Sequence, residues 1–252
     1  MFSKTFLLVI FCIDGMYSKT RIIGGFQAVI DNYGYTVSLQ FDDEHICGGA
    51  IVTPTMVTSG AHCIRYPKET YSVRVGSTYK DSGGRLYNTS KIIIHPEYNR
   101  RTADKDICLL FFKESLLFDW TVRMIALPDE DSKVRIGTTA VVTGWGSTKL
   151  NDPYSVSPTL KGVYVDVVSF AKCKALYPPN SITNSMICAG SRKPEDACSG
   201  DSGGPMVANG LLIGLVSWAF SCADVNYPGI YTSVSSVVDF IENNTNAMSR
   251  TQ

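Results

Sequence analysis

The string Gly200-Asp201-Ser202-Gly203-Gly204-Pro205 holds the side chain with the clearest chemical promise. A serine set among glycines can sit on a tight turn with its hydroxyl exposed, and the N–H groups around it can converge on one developing oxyanion. A serine hydroxyl alone is a weak nucleophile, so a base must accompany it. There are three histidines, His45, His62 and His95. His62 lies in Thr58-Ser59-Gly60-Ala61-His62-Cys63, beside a cysteine able to fix its position, whereas His95 sits in a turn-like His95-Pro96 step. His62 is the better base. The third partner is a buried acid that selects the histidine tautomer and stabilises the imidazolium. Asp106 opens the apolar run Asp106-Ile107-Cys108-Leu109-Leu110, so its backbone enters a core strand while its carboxylate needs partners. Each residue also has a plainer reading, Asp106 as a cap or turn residue; the three together suit acyl transfer.

The elements that must hold these residues are short. Apolar alternation broken by turn residues marks strands at Thr36 to Gln40, Tyr71 to Val75, Ile107 to Phe112, Ala140 to Thr143, Val163 to Val167 and Leu211 to Val216. Many short strands with regular turns predict an all-β sandwich or barrel fold. Helical spacing occurs at Val234 to Asn243, with Val234, Val237, Val238 and Ile241 on one face, and predicts a terminal helix packed on the core. The polar stretch Pro128 to Lys133 is the best linker between two all-β halves.

Composition narrows the setting. Of 252 residues 44% are hydrophobic and 18% charged, which fits a globular core and excludes disorder as the main character. The 23 Lys and Arg balance 23 Asp and Glu without a basic block, so nucleic acid is not an expected partner. Eight cysteines with 21 glycines and 11 prolines suggest a loop-rich, disulfide-stapled protein from an oxidising compartment. Residues 1–18 agree: Lys4 precedes the apolar run Phe6 to Ile13, followed by Gly15 and Ser18. This reads as a secretory signal peptide cut after Gly15 or after Ser18, the latter preferred. The run is too short for a membrane anchor, and no membrane partner is expected.

Taken in order, the motifs are those of a known family. The strings Ile22-Ile23-Gly24-Gly25, His45-Ile46-Cys47-Gly48-Gly49, Ala61-His62-Cys63, Gly144-Trp145-Gly146 and the serine hexapeptide make the chain resemble the trypsin subgroup of the chymotrypsin-like serine proteases from Arg21 to about Asn243. The resemblance implies two six-stranded antiparallel β-barrels, about 22–128 and 129–252, with a C-terminal α-helix and the triad His62, Asp106 and Ser202 in the cleft between them. The amides of Gly200 and Ser202 would form the oxyanion hole. Residues 19–21 would be an activation propeptide cut at Arg21-Ile22, freeing an amino group that inserts beside Asp201. The family pattern pairs Cys47 with Cys63, Cys173 with Cys188 and Cys198 with Cys222, leaving Cys108 as a buried thiol. The absence of the extra disulfides of vertebrate trypsins points to an invertebrate source.

Specificity is implied in the same way. Asp196 stands at the pocket floor, where a carboxylate selects Arg or Lys. Ser217, Trp218, Ala219 and Gly229 line the walls, and Ala197 replaces a common serine that helps solvate a lysine ammonium, so Arg is expected over Lys. Ala219 replaces a glycine and narrows the mouth. The loop Ser191 to Glu195 is shorter than usual, which leaves Glu195 to crowd the entrance. Ala103 should widen the adjacent subsite. No paired glutamates follow Gly76, so no metal and no cofactor are expected, and Asn88 and Asn243 fit the glycosylation pattern. The expected product is a secreted monomer acting on protein or peptide substrates, open to protein protease inhibitors. A protease of altered or narrow specificity, and a catalytically weak binding homologue, are the alternatives.

Overall fold

The computed structural model describes residues 25–66, 71–148, 152, 155–191, 197, 199–222 and 224–249. The expected signal peptide, propeptide, Arg21, Ile22, Asp196 and Cys198 lie outside them.

Alternating buried and exposed positions, and fully buried apolar runs, set the strands. In chain order the first eight are β1 (Phe26–Gln27), β2 (Thr36–Phe41), β3 (Glu44–Thr53), β4 (Met56–Ser59), β5 (Tyr71–Val75), β6 (Arg85–Asn88), β7 (Lys91–Ile94) and β8 (Cys108–Phe111). The second half adds β9 (Thr139–Gly144), β10 (Lys161–Val167), β11 (Met186–Gly190), β12 (Pro205–Ala208), β13 (Leu211–Trp218) and β14 (Gly229–Ser233). Helix α1 (Phe170–Leu176) follows β10, and α2 (Val238–Ser249) closes the described chain.

Two antiparallel sheets result, in line with the expected all-β barrels. The second half closes a ring of six strands in the order β9, β10, β11, β14, β13 and β12, because β12 and β10 both pair with β9. β1 joins this ring, with Phe26 opposite Gly162 in β10, although it precedes the first half. The first half is a curled sheet of seven strands, ordered β6, β5, β2, β3, β4, β8 and β7. Its interior packs Leu39, Val57, Val73 and Leu110, while that of the ring packs Val142, Val163, Met206 and Tyr231.

The two sheets share a core. Met56, Leu109 and Phe111 from the first half pack with Leu212, Leu215, Val237 and Ile241 from the second. Buried Thr36 and Thr143 hydroxyls meet at 2.7 Å across the same seam. This seam fixes how strands from different halves face one another, and the site lies along it.

The terminal helix differs in register from its expectation. Val234–Ser236 form a 3-10 turn, and α2 begins at Val238 and runs on to Ser249. The apolar face does pack inward, but the polar residues after Ile241 continue the helix. Helix α1 has a single buried residue, Cys173, too few for a periodic signal.

Candidate active site

His62 sits on a 3-10 turn, Ala61–Cys63, entered from Gly60. A side chain at Gly60 would come within 3.0 Å of the imidazole, so the glycine leaves the ring its place. The Cys47–Cys63 disulfide ties this turn back to β3, as expected.

Asp106 ends a loop that the second half holds. Ala103 and Lys105 lie in the left-handed region at φ 56° and 51°. Asp104 between them accepts 2.5 Å hydrogen bonds from Thr183 Oγ1 and Ser185 Oγ, and Lys105 N donates to Ser185 Oγ at 3.1 Å. Thr232 Oγ1 on β14 then bonds the Asp106 carbonyl at 2.9 Å. Backbone strain at two non-glycine residues is thus offset by side chains from the other sheet.

The Asp106 carboxylate is buried and fully engaged. Oδ1 accepts from His62 N at 3.0 Å, and Oδ2 accepts from His62 Nδ1 at 2.7 Å and from Ser217 Oγ at 2.5 Å. Because a carboxylate only accepts, Nδ1 carries a proton, and in the neutral ring the lone pair is on Nε2. Tyr98 senses the same acid: burial, with the Asp106 charge added, pushes its phenol up to about 12.

Ser202 stands opposite. Cys63 Sγ lies 3.8 Å from His62 Nε2 and 3.9 Å from the Ser202 carbonyl, so both residues border one sulfur. The serine turn needs glycines: Gly200 and Gly203 have φ of 95° and 73°, and a Cβ on Gly203 would fall 2.2 Å from Ser59 Oγ. Both sheets grip this turn. Gly48 N donates to Ser202 O at 2.8 Å, and Gly203 N donates to Val216 O at 2.7 Å.

A buried relay missed by the sequence reading supports the turn from behind. Gly200 O can only accept, so His45 Nε2 donates to it at 3.0 Å, leaving Nδ1 to accept from Ser38 Oγ at 2.8 Å. Burial lowers His45 from 6.5 to about 4, which keeps it neutral in this role. The signal in the sequence was a serine and a histidine on inward positions of neighbouring strands, which requires knowing the pairing of β2 with β3.

Asp201 is wholly buried, and Gly146 N donates to its Oδ1 at 2.8 Å. A Cβ on Gly144 or Gly146 would lie 2.2 or 2.1 Å from its carboxylate oxygens. The Gly144-Trp145-Gly146 string is thereby explained as a niche for this one acid.

A cavity of about 250 Å³ opens from Ser202 between Ala197, Val216, Ser217, Trp218, Ala219 and Gly229. Five residues expected at a specificity pocket are therefore brought together, with the sixth, Asp196, outside the described residues. A side chain at Gly229 would press on the Tyr231 ring at 3.3 Å, so glycine keeps that wall open. Trp218 is braced edge-on by Tyr177, whose hydroxyl donates to Pro228 O at 2.5 Å.

The Cys173–Cys188 bridge is formed, and Cys222 is disulfide-bonded. Cys108 is free and buried, its thiol donating to Gly60 O at 3.4 Å. Burial and the Asp106 charge push that thiol up, so it is inert. Among the described residues, the cluster with metal-like spacing is Cys47, His62 and Cys63, and its two sulfurs are already joined to each other. Asn88 and Asn243 are exposed, on β6 and α2.

Known proteins match this sequence over nearly the whole chain. The Trypsin family profile matches residues 22–241. Trypsin 5G1 of Aedes aegypti is 37% identical over 91% of this chain and 86% of its own, and hypodermin-A of Hypoderma lineatum is 40% identical over 91% and 90%. The vitellin-degrading protease of Bombyx mori is 36% identical over 94% of both chains. A match of that extent, on a closed six-stranded β-ring packed against a curled sheet, places the chain in the trypsin family as a serine endopeptidase.

Proposed function

We propose that this chain is a secreted endopeptidase, made as a zymogen, that cleaves after arginine in preference to lysine with Ser202 as nucleophile. The observation that carries the reading is the Asp106 carboxylate bonded to both His62 N and His62 Nδ1. That pair of bonds fixes the ring's position and its tautomer at once.

In this mechanism His62 Nε2 takes the Ser202 hydroxyl proton as Oγ attacks the scissile carbonyl, forming a C–O bond while the carbonyl π electrons move to oxygen. The amides of Gly200 and Ser202, which have no acceptor among the described residues, receive that oxyanion. The His62 proton then passes to the leaving amine as the C–N bond breaks, and water repeats the sequence on the acyl-enzyme. Asp106 stays ionised throughout and stabilises the imidazolium.

Substrate choice follows from the pocket. Asp196 at its floor would receive an arginine fork, and Ala197 offers no hydroxyl to a shorter lysine. The exposed Ala219 methyl at the cavity wall narrows access and favours a restricted set of peptides. Activation would cut Arg21-Ile22 and bring the new amino group to the Asp201 niche. Such a buried ion pair adds little net stability but makes a good switch, since either charge alone is strongly unfavourable. The active unit is a monomer without metal or cofactor, and the described residues contain no helix long and apolar enough to cross a membrane.

The test is to activate the proenzyme, react it with an active-site serine reagent, and profile cleavage on a peptide library. Labelling of Ser202 with cleavage after Arg is expected. Absence of labelling identifies a binding homologue, and labelling without Arg cleavage identifies altered specificity. Arg21→Gln should be secreted uncut and inactive.

A further inference from the structure

Asp106, the acid behind His62, is aimed largely from the half of the chain to which it does not belong. It is the middle residue of a tight three-residue turn, in which Ile107 N donates to Lys105 O at 2.9 Å. The direction of its carboxylate is therefore set by whatever pins the backbone on either side. The residues before it do not hold themselves. Ala103 and Lys105 stand at φ 56° and 51°, a conformation that a residue with a side chain keeps only where its surroundings over-determine it.

The pins come from the turn that precedes β11. Thr183 Oγ1 and Ser185 Oγ each spend their single hydrogen on Asp104 Oδ1, both at 2.5 Å. With its hydrogen so placed, Ser185 Oγ has a lone pair left, and it accepts from Lys105 N at 3.1 Å. Hydrogen bonds from hydroxyls to a carboxylate are among the strong ones, so Asp104 anchors the segment one residue short of the turn. On the far side Thr232 Oγ1 donates to Asp106 O at 2.9 Å.

These donors stand together because β11 pairs with β14. Met186, the residue after Ser185, lies opposite Thr232, and Ser233 N donates to Ser185 O at 2.8 Å. The first half contributes less. Asn99 N donates to Asp104 O at 3.1 Å, and Lys105 pairs with a Glu97 side chain that is 70% exposed, a kind of ion pair worth little.

We propose that Asp104, gripped by Thr183 and Ser185, is a positioning residue for the proteolytic reaction. It fixes the direction of the Asp106 carboxylate, and through it the setting of the His62 ring, without touching substrate. The proposal rests on the reading of His62, Asp106 and Ser202 as the catalytic groups.

The test is steady-state kinetics of the activated enzyme on a peptide that the native enzyme cleaves, together with proton NMR of the His62 Nδ1–H. Asp104→Ala should lower kcat about ten- to a hundredfold and leave KM within about twofold, the cost expected of a catalytic group misplaced by about an ångström. The Nδ1–H resonance, far downfield in a short bond to a carboxylate, should move upfield. Asp104→Asn keeps an oxygen that accepts both hydroxyls and should restore most of kcat and of the resonance position. Thr183→Val combined with Ser185→Ala makes the same comparison if Asp104→Ala does not fold. Arg101→Ala, in the same loop but bonded only through its backbone N to Asn99, should behave as the native enzyme. A lower thermal midpoint with native kcat and resonance would make Asp104 merely structural and overturn the proposal, and so would a change confined to KM. Asp106→Asn separates this from the reading beneath it: inactive Asp106→Asn beside native-like Asp104→Ala sinks the clamp alone, whereas full activity in Asp106→Asn sinks the catalytic assignment and the clamp with it.

Discussion

His45 donates its Nε2 proton to the carbonyl of Gly200 across 3.0 Å, joining a histidine of β3 to the loop that carries Ser202. That carbonyl belongs to the peptide between Gly200 and Asp201, so the bond fixes the stretch of backbone that joins the Gly200 and Ser202 amides. The bond therefore acts on the reacting centre from a residue that never touches substrate. His45→Phe should lower kcat about ten- to a hundredfold with little change in KM, less than the loss of an oxyanion donor itself. Steady-state kinetics on a peptide substrate checks the split.

The same histidine makes stability depend on pH. Its folded value of about 4 lies below the ordinary 6.5, so the unfolded chain binds a proton that the folded one refuses. Its contribution is present above pH 6.5 and declines as pH falls from there to about 4. Denaturant midpoints measured across that window should fall with pH, and the fall should be shallower in His45→Phe.

Ser217 is the second donor on Asp106 Oδ2. Ser217→Ala leaves a buried carboxylate one hydrogen bond short, which costs about 1–3 kcal/mol. Both the thermal midpoint and kcat/KM should drop, the latter about tenfold. An unchanged kcat/KM would show that His62 alone positions the acid.

Gly146→Ala tests the Asp201 niche. Its Cβ would fall 2.1 Å from Asp201 Oδ2, so the loop bearing Ser202 must shift, and activity should be lost. Gly190→Ala is the control, because its Cβ meets Pro228 only at 3.3 Å. Full activity in Gly146→Ala would remove the niche from the account.

Cys108 should resist alkylation in the native enzyme and react only after unfolding, because its thiol is buried and pushed up. Mass spectrometry after a timed reaction with iodoacetamide reads this directly. Modification under native conditions would mean that β8 opens more often than its burial implies.

Much of this was legible in the chain, for reasons that can be named. Tyr71 to Val75 alternates cleanly and is a strand with those bounds. β3 escaped because Gly48 and Gly49 resemble turn residues; they are glycines because a Cβ would strike Gly204 Cα or Thr58 O at 2.8 Å. His62 is found among three histidines, and Asp106 by its place at the head of an apolar run. The Ser38 to Gly200 relay and the Ser217 bond to Asp106 were not, because each joins strands whose pairing no local pattern records.

The placement of β1 has a consequence for how the chain is made. Gln27 accepts from Lys161 Nζ at 2.5 Å, a contact spanning 134 residues. At translation rates of about 5–20 residues per second, the first strand emerges from the ribosome on the order of ten seconds before its partner exists. Until then its unpaired edge must be kept from other chains, and removing the second half would leave that edge permanently exposed.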